Sequence, residues 1–201
     1  MITLYDMALS GNCHKVRLLL GCLQLPYQIH AVDLRNGEQR SAEYLQRNPF
    51  GQVPVLEDNA VLVRDSQAIL VYLAKRYGGA QWWPEEAETL SQITAWLSTA
   101  ANEIAHGPAR LRLHHKFGAA IDTALAQQTS DKVLAILDRH LASHNWLVGN
   151  AISIADIAIY PYVALAPEGK VDLTRYANIV AWCQRIQATP GYVAMPGLWQ
   201  A

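Results

Sequence analysis

The sequence predicts an α/β domain followed by an all-α one, and three observations carry that prediction. Short segments of strand and helix period alternate through residue 77, each closed by its own turn residues; beyond residue 86 only the helical period persists; and Gly78-Gly79 with Gln81-Trp82-Trp83-Pro84 separates the two regimes. The 201 residues suffice for one large domain or two small ones, and the division read here is 1–78, a linker over 79–85, and 86–201.

Ile2 to Met7 reads as a first strand. Val16, Leu19, Leu20 and Leu23 then recur at helical spacing until Leu25-Pro26 stops them, and Tyr27, Ile29 and Ala31 alternate with polar neighbours as a second strand. Ser41-Ala42-Glu43-Tyr44 opens a short helix. Val53 to Glu57 and Val61 to Arg64 flank Asp58-Asn59 as a hairpin, and Ser66 to Tyr77 places Ile69, Tyr72 and Leu73 on one helical face. The order is therefore βαβαββα. In the second half Leu90, Ile93, Leu97, Ala100 and Ile104 share a face until Gly107-Pro108 breaks it. Ser153 and Asp156 form a capping box that starts a helix at Ile154, with Ile152 placed to staple onto Ile157. Ile179, Trp182, Cys183 and Ile186 mark a last helix, closed by Pro190-Gly191.

Half the residues are hydrophobic (51%) and 16% are charged, the composition of a soluble globular chain. A net charge of -1 supplies no field for a nucleic-acid backbone; the basic residues are scattered except from Arg110 to Lys116. Met1 runs straight into Ile2-Thr3-Leu4-Tyr5 without a signal-peptide pattern, and no apolar run approaches the roughly 18 residues of a membrane span. Cys13, Cys22 and Cys183 are an odd, scattered set, which fits a reducing compartment. The expectation is a cytoplasmic protein with neither membrane nor nucleic-acid partner. No His or Cys spacing reads as a metal site.

Ser10, in the loop between the first strand and first helix, stands where helix N-termini present free amides and positive potential to anions. It reads either as a helix cap or as a group meeting a ligand. Cys13, one turn further on, is the rival nucleophile or an inert buried thiol. Asp65-Ser66, at the head of an apolar helix, again offers a cap or an acid and a hydroxyl for a zwitterion. Val53-Pro54 is a candidate cis bond, although only about 5 to 6% of X-Pro bonds in folded proteins are cis.

Taken together, Asn48-Pro49-Phe50-Gly51-Gln52-Val53-Pro54-Val55-Leu56, Asp65-Ser66-Gln67-Ala68-Ile69, and Trp146-Leu147-Val148-Gly149 followed by Ser153-Ile154-Ala155-Asp156 resemble the cytosolic glutathione transferases across nearly the whole chain. The resemblance implies a thioredoxin-like N-terminal domain and an all-helical C-terminal domain carrying the electrophile site. It implies glutathione as co-substrate, held by the backbone of Val53 before cis-Pro54 and by Asp65 and Ser66 at the γ-glutamyl group. Gln39 and Arg40 fall where many members place a His and a Lys near the glycyl carboxylate, and Gln52 is a further contact. Ser10 falls at the thiol-activating position of theta, phi and bacterial classes, and Asn12 resembles the Asn of nu-like members, in which disulfide reduction accompanies conjugation. Tyr5 is a minor candidate, one position from the tyrosine of the alpha, mu and pi classes.

On this reading Ser10 donates a hydrogen bond to the glutathione sulfur, Asn12 adds a second, and the electrophile lies against a helix carrying Glu103, His106 and Arg110. The resemblance also implies a homodimer. Conjugation to small electrophiles is the leading activity. Glutathione-dependent disulfide or peroxide reduction and a non-catalytic interaction protein on the same fold are the alternatives. A zeta-like isomerase is disfavoured, because Ser10-Gly11-Asn12-Cys13 lacks that class's Ser-Ser-Cys run.

Overall fold

A computed structural model describes residues 1–199. Its first lobe follows the predicted order: β1 (Ile2–Asp6), α1 (Gly11–Cys22), β2 (Tyr27–Ala31), α2 (Ala42–Arg47), β3 (Val55–Asp58), β4 (Val61–Arg64) and α3 (Ser66–Leu73). The sheet runs β2-β1-β3-β4, with β1 parallel to β2 and the other neighbouring pairs antiparallel. This is the thioredoxin-like arrangement. β2 is an edge strand, so the alternation of Tyr27, Ile29 and Ala31 does not bury a face: Ile29 is 55% exposed. β3 begins at Val55, two residues later than the sequence pattern implies, directly after the cis Val53-Pro54 peptide.

The second lobe contains α4 (Ala87–Thr99), α5 (Pro108–Phe117), α6 (Thr123–Leu141), α7 (Ile154–Ala164) and α8 (Ala177–Gln187). α4 passes through a wider turn over Ala100–Ile104, and Pro108 then opens α5 at its first position, where its missing N–H costs nothing. The capping box is formed: Asp156 Oδ2 accepts from Ser153 N at 3.0 Å and Ser153 Oγ accepts from Ala155 N at 3.2 Å. Asp156 also accepts from Leu147 N and from Trp182 Nε1, so one fully buried carboxylate ties the loop before α7 to α8. Ile152 and Ile157 are both buried.

α7 packs against α1 and α3, and a single apolar core joins Leu4, Val16 and Leu70 of the first lobe to Ile157, Val163 and Trp182 of the second. The lobes are thus fixed against each other. Among the described residues no helix is long and apolar enough to cross a membrane.

Candidate functional site

The β1–α1 loop is set by a buried ion pair. Arg17 Nη1 meets Asp6 Oδ1 at 2.5 Å while Nη2 donates to Ala8 O at 3.0 Å, and Ser10 N donates to Met7 O at 2.8 Å. Ser10 is thereby held at the N-cap of α1, its Oγ accepting from Cys13 N at 3.2 Å. A hydroxyl that caps a helix works as an acceptor, and its hydrogen stays available to donate. Capping and ligand contact are therefore compatible uses of the same atom.

Ser10 opens onto a cleft made of two adjoining hollows. The larger, about 300 Å³, is lined by Ser10, Asn12, Gln39, Val53, Arg112 and Tyr162 among others. The smaller, about 210 Å³, holds Pro54, Arg64, Asp65 and Ser66, and shares Asn12, Gln52 and Val53 with the first. Asn48 shapes the rim: its Nδ2 and the Tyr44 hydroxyl both donate to Gln52 O, and its Oδ1 accepts from Phe50 N. Val53 lines both hollows, with no backbone hydrogen bond to its N–H or C=O among the described residues.

At the far end Asp65 caps α3, its Oδ1 accepting from Gln67 N at 2.9 Å and Ala68 N at 3.2 Å. Its φ of 70° is a conformation few non-glycine residues adopt. Ser66 is buried, with its hydroxyl on Gln67 Oε1; Lys15 Nζ approaches the same oxygen at 3.5 Å and lies over the Tyr162 ring. Burial pulls the Lys15 ammonium down to about 8, against the opposing pull of Asp65. This end combines an exposed carboxylate with the amide-rich start of a helix, which suits a group bearing both an ammonium and a carboxylate.

The structure brings Ser10, Asn12, Gln39, Gln52, Val53, Pro54, Asp65 and Ser66 together around one cleft. It does not bring Arg40, which is exposed and lines neither hollow. Tyr5 is spent elsewhere, donating to Glu57 Oε2 at 3.0 Å and accepting from Arg47 Nε at 2.9 Å. Cys13 is fully buried; burial, with the Asp6 charge adding to it, pushes its thiol up to about 12, so it stays protonated.

His106 and Arg110 do not line the Ser10 cleft. They line a separate hollow with Ile121, Asp122, Leu125 and Thr129. The helical wall of the Ser10 cleft is instead Arg112, Leu113, Phe117 and Tyr162. Tyr162 comes so close to α1 that a Cβ at Gly11 would sit 2.8 Å from its ring, so any side chain there would displace the ring. Leu113 and Phe117 continue into an apolar hollow of about 450 Å³ with Met7, Leu9, Val32 and Leu34. The one sequence signal for this wall was the basic cluster from Arg110 to Lys116, which contains Arg112.

Comparison with known proteins is consistent with this architecture. The glutathione S-transferase N-terminal domain model matches residues 4–81 and the C-terminal domain model residues 102–190. Glutathione S-transferase GstB of Escherichia coli is 31% identical, over 94% of this chain and 95% of its own. This chain belongs to the glutathione transferase family. The transferase is also 30% identical to the disulfide-bond oxidoreductase YfcG of E. coli, over 94% of this chain and 92% of the other. A glutathione S-transferase crystal structure from Pseudomonas fluorescens superimposes with a TM-score of 0.90 at 34% identity, covering 97% of this chain and 98% of that one. In this transferase the cleft from Ser10 to Ser66 therefore lies in the matched N-terminal region, and Arg112, Leu113, Phe117 and Tyr162 face it from the matched C-terminal region.

Proposed function

We propose that this glutathione transferase lays glutathione along the cleft with the γ-glutamyl group at Asp65 and Ser66, the peptide backbone on Val53, and the thiol beneath Ser10. Asp65 takes the ammonium, and Ser66 with the first amides of α3 takes the α-carboxylate. Gln39, whose Oε1 is buried without a donor among the described residues, takes the glycyl end by turning its amide. Gln52 lies beside Val53 on the same rim. Arg40 is left out of this grip.

The observation that carries the reading is the Ser10 hydroxyl: it caps α1 as an acceptor, which leaves a hydroxyl its capacity to donate, and it lines the same cleft as Val53 and Asp65. A thiol of pKa about 8.5 is only a few per cent thiolate at pH 7. Lowering it by about two units needs about 2.7 kcal/mol. A hydrogen bond to a charged sulfur supplies roughly 1.5 to 3 kcal/mol, and a helix N-terminus about 0.3 to 1 more. Ser10 therefore has to act; the helix alone falls short. Asn12 adds a second donor. The thiol proton leaves to water, the thiolate forms a sulfur–carbon bond with the electrophile, and the leaving group departs with its bonding pair. Leu113, Phe117 and Tyr162 form the electrophile wall in the helical domain, read as residues 86–201 beyond the linker.

A second reading, glutathione-dependent disulfide reduction, is favoured by the similarity to a disulfide-bond oxidoreductase and by Asn12 beside Ser10. Here the thiolate attacks one disulfide sulfur, a second glutathione resolves the mixed disulfide, and two thiols and oxidised glutathione result. Cys13, buried and protonated, takes no part. We place the protein in the cytoplasm as a homodimer that disposes of electrophiles, on its composition and family. Wild type and Ser10→Ala assayed with glutathione against aryl halides, disulfides and peroxides test the scheme. The expected result is conjugation that falls sharply in the variant; a variant with undiminished rates sinks the role of Ser10.

A further inference from the structure

Arg112 is a charged side chain on the buried side of α5, 3% exposed. Its Nε donates to Glu168 Oε2 at 2.7 Å, Lys116 pairs with the other oxygen of the same carboxylate, and the guanidinium lies over Phe117, 5.2 Å from the ring centre. Burial raises the Glu168 pKa, but Lys116 and Arg112 more than reverse this and hold it below the ordinary value. One ionised carboxylate thus faces two cations, and a positive charge is left over. Arg112 Nη2 is buried with no acceptor among the described residues. Buried polar groups are nearly always paired, and Arg112 lines the Ser10 cleft, so its guanidinium has hydrogen-bonding capacity left for a ligand oxygen.

The placement is rigid. A Cβ at Gly169 would stand 2.8 Å from Arg112 N, so the turn Ala166–Gly169 that carries Glu168 sits flush on α5. Arg112 lines the same hollow as Ser10, but not the hollow that holds Asp65 and Ser66. Directly beside it, Leu113 and Phe117 open the apolar hollow with Met7, Leu9 and Leu34.

We propose that Arg112 determines the second substrate: it takes a carboxylate carried by an electrophile whose apolar body lies against Leu113 and Phe117. The proposal rests on the glutathione transferase reading and narrows it to carboxylated electrophiles, such as halogenated aromatic acids. A guanidinium suits the task because its planar fork matches a carboxylate and it remains charged when buried. During conjugation the glutathione sulfur bonds to the ring carbon and chloride leaves with the bonding pair. The carboxylate is unchanged and stays on the product.

The test compares 4-chloro-3-nitrobenzoate with 4-chloro-3-nitrobenzamide at saturating glutathione, each rate divided by the uncatalysed rate of the same pair. Wild type should show a KM about tenfold or more lower for the carboxylate, as a hydrogen-bonded charge pair implies. Arg112→Met should abolish that preference, changing the ratio of the two kcat/KM values by about 10- to 100-fold. Arg112→Lys, which keeps the charge and loses the fork, should fall between them. Circular dichroism and Tm establish that each variant is folded.

No preference in wild type overturns the proposal without recourse to any variant. An equal loss on both compounds in Arg112→Met makes the residue structural, and a raised KM for glutathione instead assigns it to the glycyl carboxylate; either result also overturns it. If wild type conjugates neither compound nor 1-chloro-2,4-dinitrobenzene, the transferase reading has failed. Calorimetric titration of 3-nitrobenzoate against 3-nitrobenzamide then decides Arg112 alone: tighter carboxylate binding supports it and equal binding overturns it.

Discussion

Asp65 has two duties, and a pair of substitutions separates them. Its Oδ1 caps α3 through Gln67 N and Ala68 N, while its carboxylate lines the end of the cleft assigned to the glutamyl ammonium. Asp65→Asn keeps an oxygen for the cap and a side chain that tolerates the φ of 70°, but removes the charge. A hydrogen bond between charged groups contributes roughly 1.5 to 3 kcal/mol, so the KM for glutathione should rise about 10- to 150-fold. Stability should stay within about 0.5 kcal/mol, since Asn and Asp cap equally well. Asp65→Ala removes the cap, at a cost of about 1 kcal/mol, and places a less tolerant residue at positive φ for about 1 more. For a chain of this size that lowers Tm by about 4–8 °C. Steady-state kinetics with varied glutathione and thermal unfolding measure the two quantities on the same samples. A KM within about twofold of wild type in Asp65→Asn, or a Tm as low as that of Asp65→Ala, would contradict this division of roles.

Asp156 should matter to folding and not to chemistry. Asp156→Ala strands four buried donors, Leu147 N, Ser153 N, Ser153 Oγ and Trp182 Nε1, and should cost roughly 3 to 5 kcal/mol in denaturant unfolding; an unchanged midpoint would contradict the network's role. His14 should make the protein acid-sensitive. Burial depresses its pKa to about 4, and Nε2 is 2.6 Å from Val193 O. The unfolded chain takes up this proton at a higher pH than the folded one, near 6.5 against about 4, so the stability it contributes is complete above pH 6.5 and drains away as pH falls towards 4. The loss amounts to about 3 kcal/mol. His14→Gln should flatten the unfolding free energy across that window, and a curve as steep as wild type would disprove the assignment.

The parts of the site readable from sequence are those with short-range chemistry. Ser10, Asp65 and Ser66 stand at helix starts, where cap residues follow local rules, and Asn48 to Pro54 is a turn whose residue types specify its shape. The wall opposite was not readable in this way. Arg112 and Tyr162 reach the cleft only because α5 and α7 pack across the lobe boundary, and within each helix they look like solvated or core positions. His106 and Arg110, which line another hollow, are an example. The sequence shows the break at Gly107-Pro108 but not the wider turn at Ala100–Ile104, and with Gly107 at φ -96° and ψ -101° Glu103, His106 and Arg110 do not continue one helical face. The phase shifts, and the residues expected over the sulfur line another hollow. The edge position of β2 was likewise invisible, since strand order is fixed by long-range pairing.

In the proposed mechanism the Ser10 hydroxyl donates to the glutathione sulfur and lowers its pKa. Titration of the bound thiol by ultraviolet thiolate absorbance, in wild type and Ser10→Ala saturated with glutathione, tests it most directly. Wild type should show a thiol pKa about two units below that of free glutathione, and Ser10→Ala should return it at least about one unit towards the free value. Equal pKa values in the two proteins, with glutathione bound to both, would contradict the claim.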